Sequence, residues 1–78
     1  MNLWEYLDMR ISVTDIVGNV YEGIAYMYIP ANENEEDWGK AAASIIIDGG
    51  DPNILWEIYE DEIAHIEILS SVEARSGV

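Results

Sequence analysis

His65 is the single histidine of this 78-residue chain, and there is no cysteine. Nucleophilic chemistry would therefore fall to a serine: Ser12, Ser44, Ser70, Ser71 or Ser76. None has a base beside it in the sequence. His65 stands two residues from Glu67 in an alternating stretch, and a general base needs both a partner and a pocket. One histidine with carboxylates is a poor zinc set. The acidic run Glu33, Glu35, Glu36 and Asp37 lacks the central glycine and terminal bidentate glutamate of a calcium loop. If that run is extended, its alternate carboxylates stand ~6.6 Å apart, a row of charges and not a cage. Gly49 and Gly50 are followed by no Gly-Lys-Ser/Thr, so they do not form a phosphate-cradling loop. Paired carboxylates for sugar hydrolysis need a cleft, which a chain this short hardly builds. The residues read as a non-enzyme with no catalytic, cofactor or metal site.

A second possible chemistry is stacking on nucleic-acid bases, for which Tyr21, Tyr26, Tyr28, Trp38, Trp56 and Tyr59 supply the rings. Such a site also needs a positive groove. Sixteen acidic residues face three basic ones, Arg10, Lys40 and Arg75, for a net charge of −13. That balance disfavours phosphate backbones and anionic lipid alike. The aromatic residues are instead expected in core and interface packing. The charge itself has two readings. It keeps an apolar small domain dispersed, or it meets a basic partner through Glu33, Glu35, Glu36, Asp37, Glu60, Asp61 and Glu62. Half of the residues are hydrophobic, which makes homo-oligomer formation an expectation. No apolar run reaches the ~18 residues of a membrane span. The first residues lack the basic region and cleavage site of a signal peptide, so a cytoplasmic protein is expected.

The elements that position these groups are short. A single domain over residues 1–69 is expected, followed by a flexible tail at 70–78. Residues 3–8 carry Leu3, Trp4 and Leu7 at helical spacing, with Asn2 as N-cap and Glu5 at capping-box distance. Residues 9–14 alternate apolar and polar, a half-buried strand. A turn through Gly18 and Asn19 leads to a second strand at 20–29, apolar on both faces. Tyr21, Ala25 and Met27 share one face, and Ile24, Tyr26 and Tyr28 share the other. Gly23 reads as a bend and Pro30 as the end of the strand. Residues 31–40 read as an acidic loop. Strands follow at 42–47, 54–59 and 64–69, separated by a turn through Gly49 and Gly50 and by a tight acidic turn at 60–62. Five short strands without a long helix predict an all-β fold, a small closed or nearly closed barrel. Ile24, Tyr26, Tyr28, Trp56, Ile66 and Ile68 are the candidate oligomer interface.

The stretch R-I-S-V-T-D-I-V-G-N-V-Y-E-G-I, at residues 10–24, resembles the first Sm motif of the Sm-like (LSm) family. Gly18, Tyr21 and Gly23 stand at the turn glycine and the aromatic-x-Gly of that motif. The N-L-W-x-Y-L opening and the E-D-E-I-A-H-I-E-I-L ending resemble short bacterial members. The resemblance implies an N-terminal helix on a strongly bent five-stranded, SH3-like sheet. It also implies association of strand 4 with strand 5 of a neighbour, often in rings. The family's RNA-binding residues do not carry over. Where RNA-binding members have an Asp and an Asn after strand 2, this chain has Ile29 and Glu33, with Asn32 one place off. Where they have Arg-Gly before strand 5, it has Glu60-Asp61-Glu62. The expectation is a non-enzymatic, oligomeric Sm-like interaction module without RNA binding. The alternatives are an acidic nucleic-acid mimic that inhibits a basic nucleic-acid-binding protein and, third, an RNA-binding Sm-like protein.

Overall fold

The computed structural model describes residues 2–50 and 54–70. A 3₁₀ turn, Leu3–Tyr6, precedes β1 (Arg10–Asp15) and β2 (Val20–Ile29). A helix, α1 (Ala31–Trp38), leads to β3 (Ser44–Asp48) and β4 (Leu55–Tyr59). A second 3₁₀ turn, Glu60–Glu62, feeds β5 (Ile63–Ser70). The strands form one antiparallel sheet in the order β4-β3-β2-β1-β5. The edge strands β4 and β5 are thus consecutive in sequence, and the turn between them has three residues. Tyr59 to Ile63 spans at most ~14 Å of chain. The edges of a flat five-stranded sheet lie ~19 Å apart. The sheet therefore curls toward its own far edge without closing. The ring of Tyr21 on β2 packs at 5.5 Å against that of Trp56 on β4, two strands away.

Period-2 alternation delivers the core. Ile11 and Val13 of β1, Ala25 of β2, Ile45 and Ile47 of β3, Ile58 of β4 and Ile63 of β5 are buried together. Leu3 of the first 3₁₀ turn is buried with them, and Tyr6, Met9, Tyr21, Tyr28, Trp56 and Ile66 pack around this cluster. Gly23 faces Ile11 across the β1–β2 ladder. A Cβ at Gly23 would overlap the carbonyl of Asp48 on β3. Glycine is needed there for a close backbone approach within the curled sheet.

Several expectations are corrected. Residues 31–40 are not an acidic loop, because residues 31–38 form α1. Gly39 ends the helix in the left-handed region (φ 77°), its N–H donating to the carbonyls of Asn34 and Glu35. The carboxylates of this stretch follow helical spacing, so the extended row of charges does not exist. The N-terminal helix at 3–8 is a single 3₁₀ turn, and Asn2 does not cap its backbone. The Asn2 amide instead donates to the Glu5 carboxylate at 3.1 Å.

The two faces of β2 are also redrawn. Ala25 pairs with Ile47 but Met27 pairs with Ile46, so Tyr26 is an extra, bulged residue. A bulge reverses the alternation beyond it. Tyr28 accordingly packs on the core beside Ile45, while Tyr26 and Met27 are exposed. Tyr28 therefore does not share an outer face with Ile24 and Tyr26. β2 keeps its expected bounds, and the other strands differ by one or two residues at an end. The tight acidic turn expected at 60–62 is present, and it takes the form of a 3₁₀ turn. The expected tail beyond Ser70 and part of the turn between β3 and β4 lie outside the described residues.

Candidate interaction surface

The open sheet leaves two strand edges. Among the described residues no strand lies outside β4 or β5. Such edges present unpaired N–H and C=O groups that template further pairing. Both also carry apolar side chains in solvent. Ile54, just before β4, and Leu55, its first residue, are 38% and 55% exposed, and Ile68 and Leu69, near the end of β5, are 49% and 44% exposed. The six residues expected at an oligomer interface are distributed otherwise. Tyr28, Trp56 and Ile66 pack against the core. Ile24 is half-buried opposite Arg10 and Asp48, and Tyr26 stands exposed at the bulge. Ile68 lies on the β5 edge.

The acidic surface has two parts, and Lys40 links them. Glu33, Glu35, Glu36 and Asp37 are all exposed on α1, whose last residue, Trp38, is exposed too. Glu60, Asp61 and Glu62 make the second 3₁₀ turn. The Lys40 ammonium, just past α1, bonds Asp61 at 3.0 Å and lies 5.0 Å over the Tyr59 ring. The Asp61 hydrogen bond holds the Lys40 ammonium above its ordinary pKa. Desolvation opposes this, and the charges of Asp61 and Glu62 reinforce it. One of the chain's three cations is thereby committed to an internal contact, which leaves the surface less able to meet phosphate.

Two polar networks hold the elements that frame this surface. In the first, Asp15 organises the β1–β2 turn. Its carboxylate accepts from the backbone N–H of Val17 at 3.0 Å and of Asn19 at 2.9 Å. It accepts also from the Asn19 amide and the Tyr21 hydroxyl, both at 3.2 Å. Desolvation pushes this carboxyl upward, but the four donated hydrogen bonds outweigh it and hold the pKa below the ordinary carboxylate value. Tyr21 is shifted the other way, upward. Desolvation contributes most, followed by its hydrogen bond to Asp15 and that residue's charge.

In the second network, Asn34 of α1 is fully buried. Its amide donates to the Ala42 carbonyl at 2.8 Å and to the Ser44 hydroxyl at 3.0 Å. The Ser44 hydroxyl in turn donates to the Glu57 carboxylate at 2.7 Å. Helix α1 is thus docked on β3 and β4 through hydrogen bonds and not through an apolar stripe. The Asn34 carbonyl oxygen, Oδ1, is buried without a partner.

The candidate chemistry of the sequence is dispersed by this fold. His65 is exposed on β5 opposite Thr14, and Glu67 lies opposite Ser12. Ser44 is sealed inside the polar network. Among the described residues no three histidine, cysteine or acidic side chains gather as a metal site, and no pocket opens. None of the described helices is long and apolar enough to cross a membrane. Asp15, Asn34, Ile54, Leu55 and Leu69 were not singled out by sequence reasoning. Only Asp15 had a local signal, an Asx residue before a Gly-containing turn. No protein-family model, curated protein or solved structure matches the chain.

Proposed function

We propose that the chain is a non-enzymatic protein-interaction module of Sm-like architecture that self-associates through its open strand edges and has lost the RNA-binding set. The observation that carries this reading is the pair of unpaired edges, β4 and β5, with Leu55 exposed on the one beside Ile54, and Ile68 and Leu69 exposed on the other. A small sheet protein ordinarily protects its edges with charge, proline or a covering element. Pairing an edge of one copy with an edge of another removes both liabilities. The strand order, the close approach at Gly23 and the short turn joining the two edge strands support the Sm-like part of the reading. The charge of −13 and the committed Lys40 support the loss of RNA binding. Size-exclusion chromatography with light scattering tests self-association. A discrete oligomer is expected, and a strict monomer at high concentration would overturn the reading. A gel shift with U-rich RNA near physiological salt is expected to show no complex.

A second reading is favoured by the linkage of the two acidic segments. Lys40 joins the end of α1 to the 60–62 turn, so exposed carboxylates flank it on both sides. That arrangement suits a mimic of a polyanion, held by a basic nucleic-acid-binding protein. It predicts salt-sensitive capture of such a protein, abolished when Glu33, Glu35, Glu36 and Asp37 are changed to Lys. Capture that survives both high salt and this charge reversal would exclude it.

A further inference from the structure

The backbone hydrogen bonds fix which residues the β5 edge offers. The Asp15 N–H donates to the Asn19 carbonyl and the Ala25 N–H to the Met9 carbonyl, both at 2.9 Å. Both bonds lie on the β1–β2 register, in which Ile11 faces Gly23 and Val13 faces Tyr21. Bonded and non-bonded pairs alternate along an antiparallel ladder. Ile11 and Val13 therefore bond toward β2, and Ser12 and Thr14 bond toward β5. Their partners there are Glu67 and His65. Ile66 and Ile68 are left with N–H and C=O groups facing the open edge.

From His65 to Ile68 the pairing with β1 is regular. Ala64 and Leu69 are the extra residues at the two register shifts that bound this stretch. Bulges turn an edge away from further pairing, so a strand added to β5 meets these four residues. Their side chains divide by face. Ile66 and Ile68 stand opposite Val13 and Ile11 on the core side, and the exposed His65 and Glu67 stand opposite Thr14 and Ser12 on the outer side.

This short pattern complements itself. Two copies of β5 related by a two-fold axis pair antiparallel, with each contact made twice. Outward-facing groups must oppose outward-facing groups, so the axis falls at His65, Ile66 or Glu67. An axis at Glu67 opposes two carboxylates, which is destabilising. An axis at His65 opposes two imidazoles and leaves Glu67 opposite Ile63. An axis at Ile66 sets His65 of each copy opposite Glu67 of the other. These are the closer, non-bonded pairs of the ladder, and an imidazole has an N–H for a carboxylate in either protonation state. On the core side the same axis sets Ile66 against Ile66, with the exposed Ile68 of each copy diagonal to Ile66 of the other, within reach of side-chain contact.

The net charge of −13 makes this match decisive, because a second copy must approach where its carboxylates meet donors. The other edge offers no such match. The Gly49 N–H donates to the Ile54 carbonyl at 3.2 Å and the Glu60 N–H to the Ala43 carbonyl at 2.8 Å, so Trp56 and Ile58 bond toward β3. Leu55, Glu57 and Tyr59 turn outward, with a carboxylate at their centre and the acidic turn directly after them. We infer that two copies of this chain form a closed dimer by antiparallel pairing of β5 with β5 about a two-fold axis at Ile66, with His65 of each copy against Glu67 of the other. This inference rests on the self-association reading above and adds the edge, the register and the stoichiometry.

The chain has no cysteine, so introduced thiols report the register directly. In this dimer His65 and Glu67 of opposite copies have Cα atoms ~4.5 Å apart, within disulfide reach. Two copies of either position lie roughly 8 Å apart, beyond reach. His65→Cys and Glu67→Cys chains are gently oxidised as a mixture and each alone, and the products are weighed by mass spectrometry. Light scattering of the unmodified chain and of Leu55→Lys, which alters only the β4 edge, accompanies them. The inference expects a mass of two chains for both proteins and a cross-linked heterodimer dominant in the mixture. A cross-link that forms as well in His65→Cys or Glu67→Cys alone overturns the register. An oligomer that forms no cross-link, exceeds two chains or is lost in Leu55→Lys overturns β5–β5 pairing, while self-association stands. A monomeric unmodified chain overturns both.

Discussion

The least conspicuous residues in the sequence hold the most consequential contacts. Asn34 sits among acidic neighbours in a stretch with no apolar pattern, yet it is fully buried and ties α1 to β3. Removing its amide leaves the Ala42 carbonyl without that donor and disrupts the bond to Ser44. Asn34→Ala is expected to cost roughly 2 kcal/mol, read from urea unfolding; an unchanged midpoint would show that the network contributes nothing net. Asp15 acts at the opposite end of the sheet. Its pKa is lowered in the folded chain, so the unfolded chain binds more protons at acid pH. The stability from its four hydrogen bonds is present above the unfolded carboxyl value of ~3.9 and is lost as pH falls through the folded value. Asp15→Asn should therefore lower the melting temperature at pH 7. The difference from the unmodified chain should narrow as pH drops below ~4, and a difference constant across that range would contradict the assignment.

At the scale of elements, strands were legible and the helix was not. Residues 20–29 alternate or run apolar, and β2 has those bounds. The turn glycine Gly18 and the 60–62 turn were likewise readable from turn chemistry. α1 was hidden because apolar periodicity is the usual signal of a surface helix, and its one fully buried side chain is polar. The signals it does carry, Pro30 at its start and Gly39 just past its end, are punctuation that a loop shares. The bulge at Tyr26 was hidden for a related reason. Residues 24–29 are an unbroken apolar run, so no change of polarity marks Tyr26, and only the register against β3 reveals the extra residue. The candidate interface was then drawn partly from residues that the bulge and the curl turn inward, while Ile54, Leu55 and Leu69 read as ordinary strand positions. Gly23 makes the clearest element-level prediction. A methyl group there collides with the backbone of Asp48 and forces β2 and β3 apart. Gly23→Ala should destabilise by about 2–3 kcal/mol in denaturant unfolding, and a neutral effect would mean that the two strands part without cost.

For the whole molecule, two forces compete. Open edges with exposed aliphatic side chains favour association, and a charge of −13 on every copy opposes both folding and assembly. Salt separates them, because it screens repulsion between copies far more than it affects apolar contact. The Debye length is ~8 Å at 0.15 M and ~3 Å at 1 M. Stability and association should both rise with added NaCl, opposite to the behaviour of a protein held to a basic partner. Light scattering of the purified chain, across protein concentration at about 0.15 M and 1 M NaCl, reads this competition in one experiment. The open-edge reading predicts a discrete multiple of 8.8 kDa that becomes more populated at the higher salt. A mass of one chain at every concentration and both salts would contradict it.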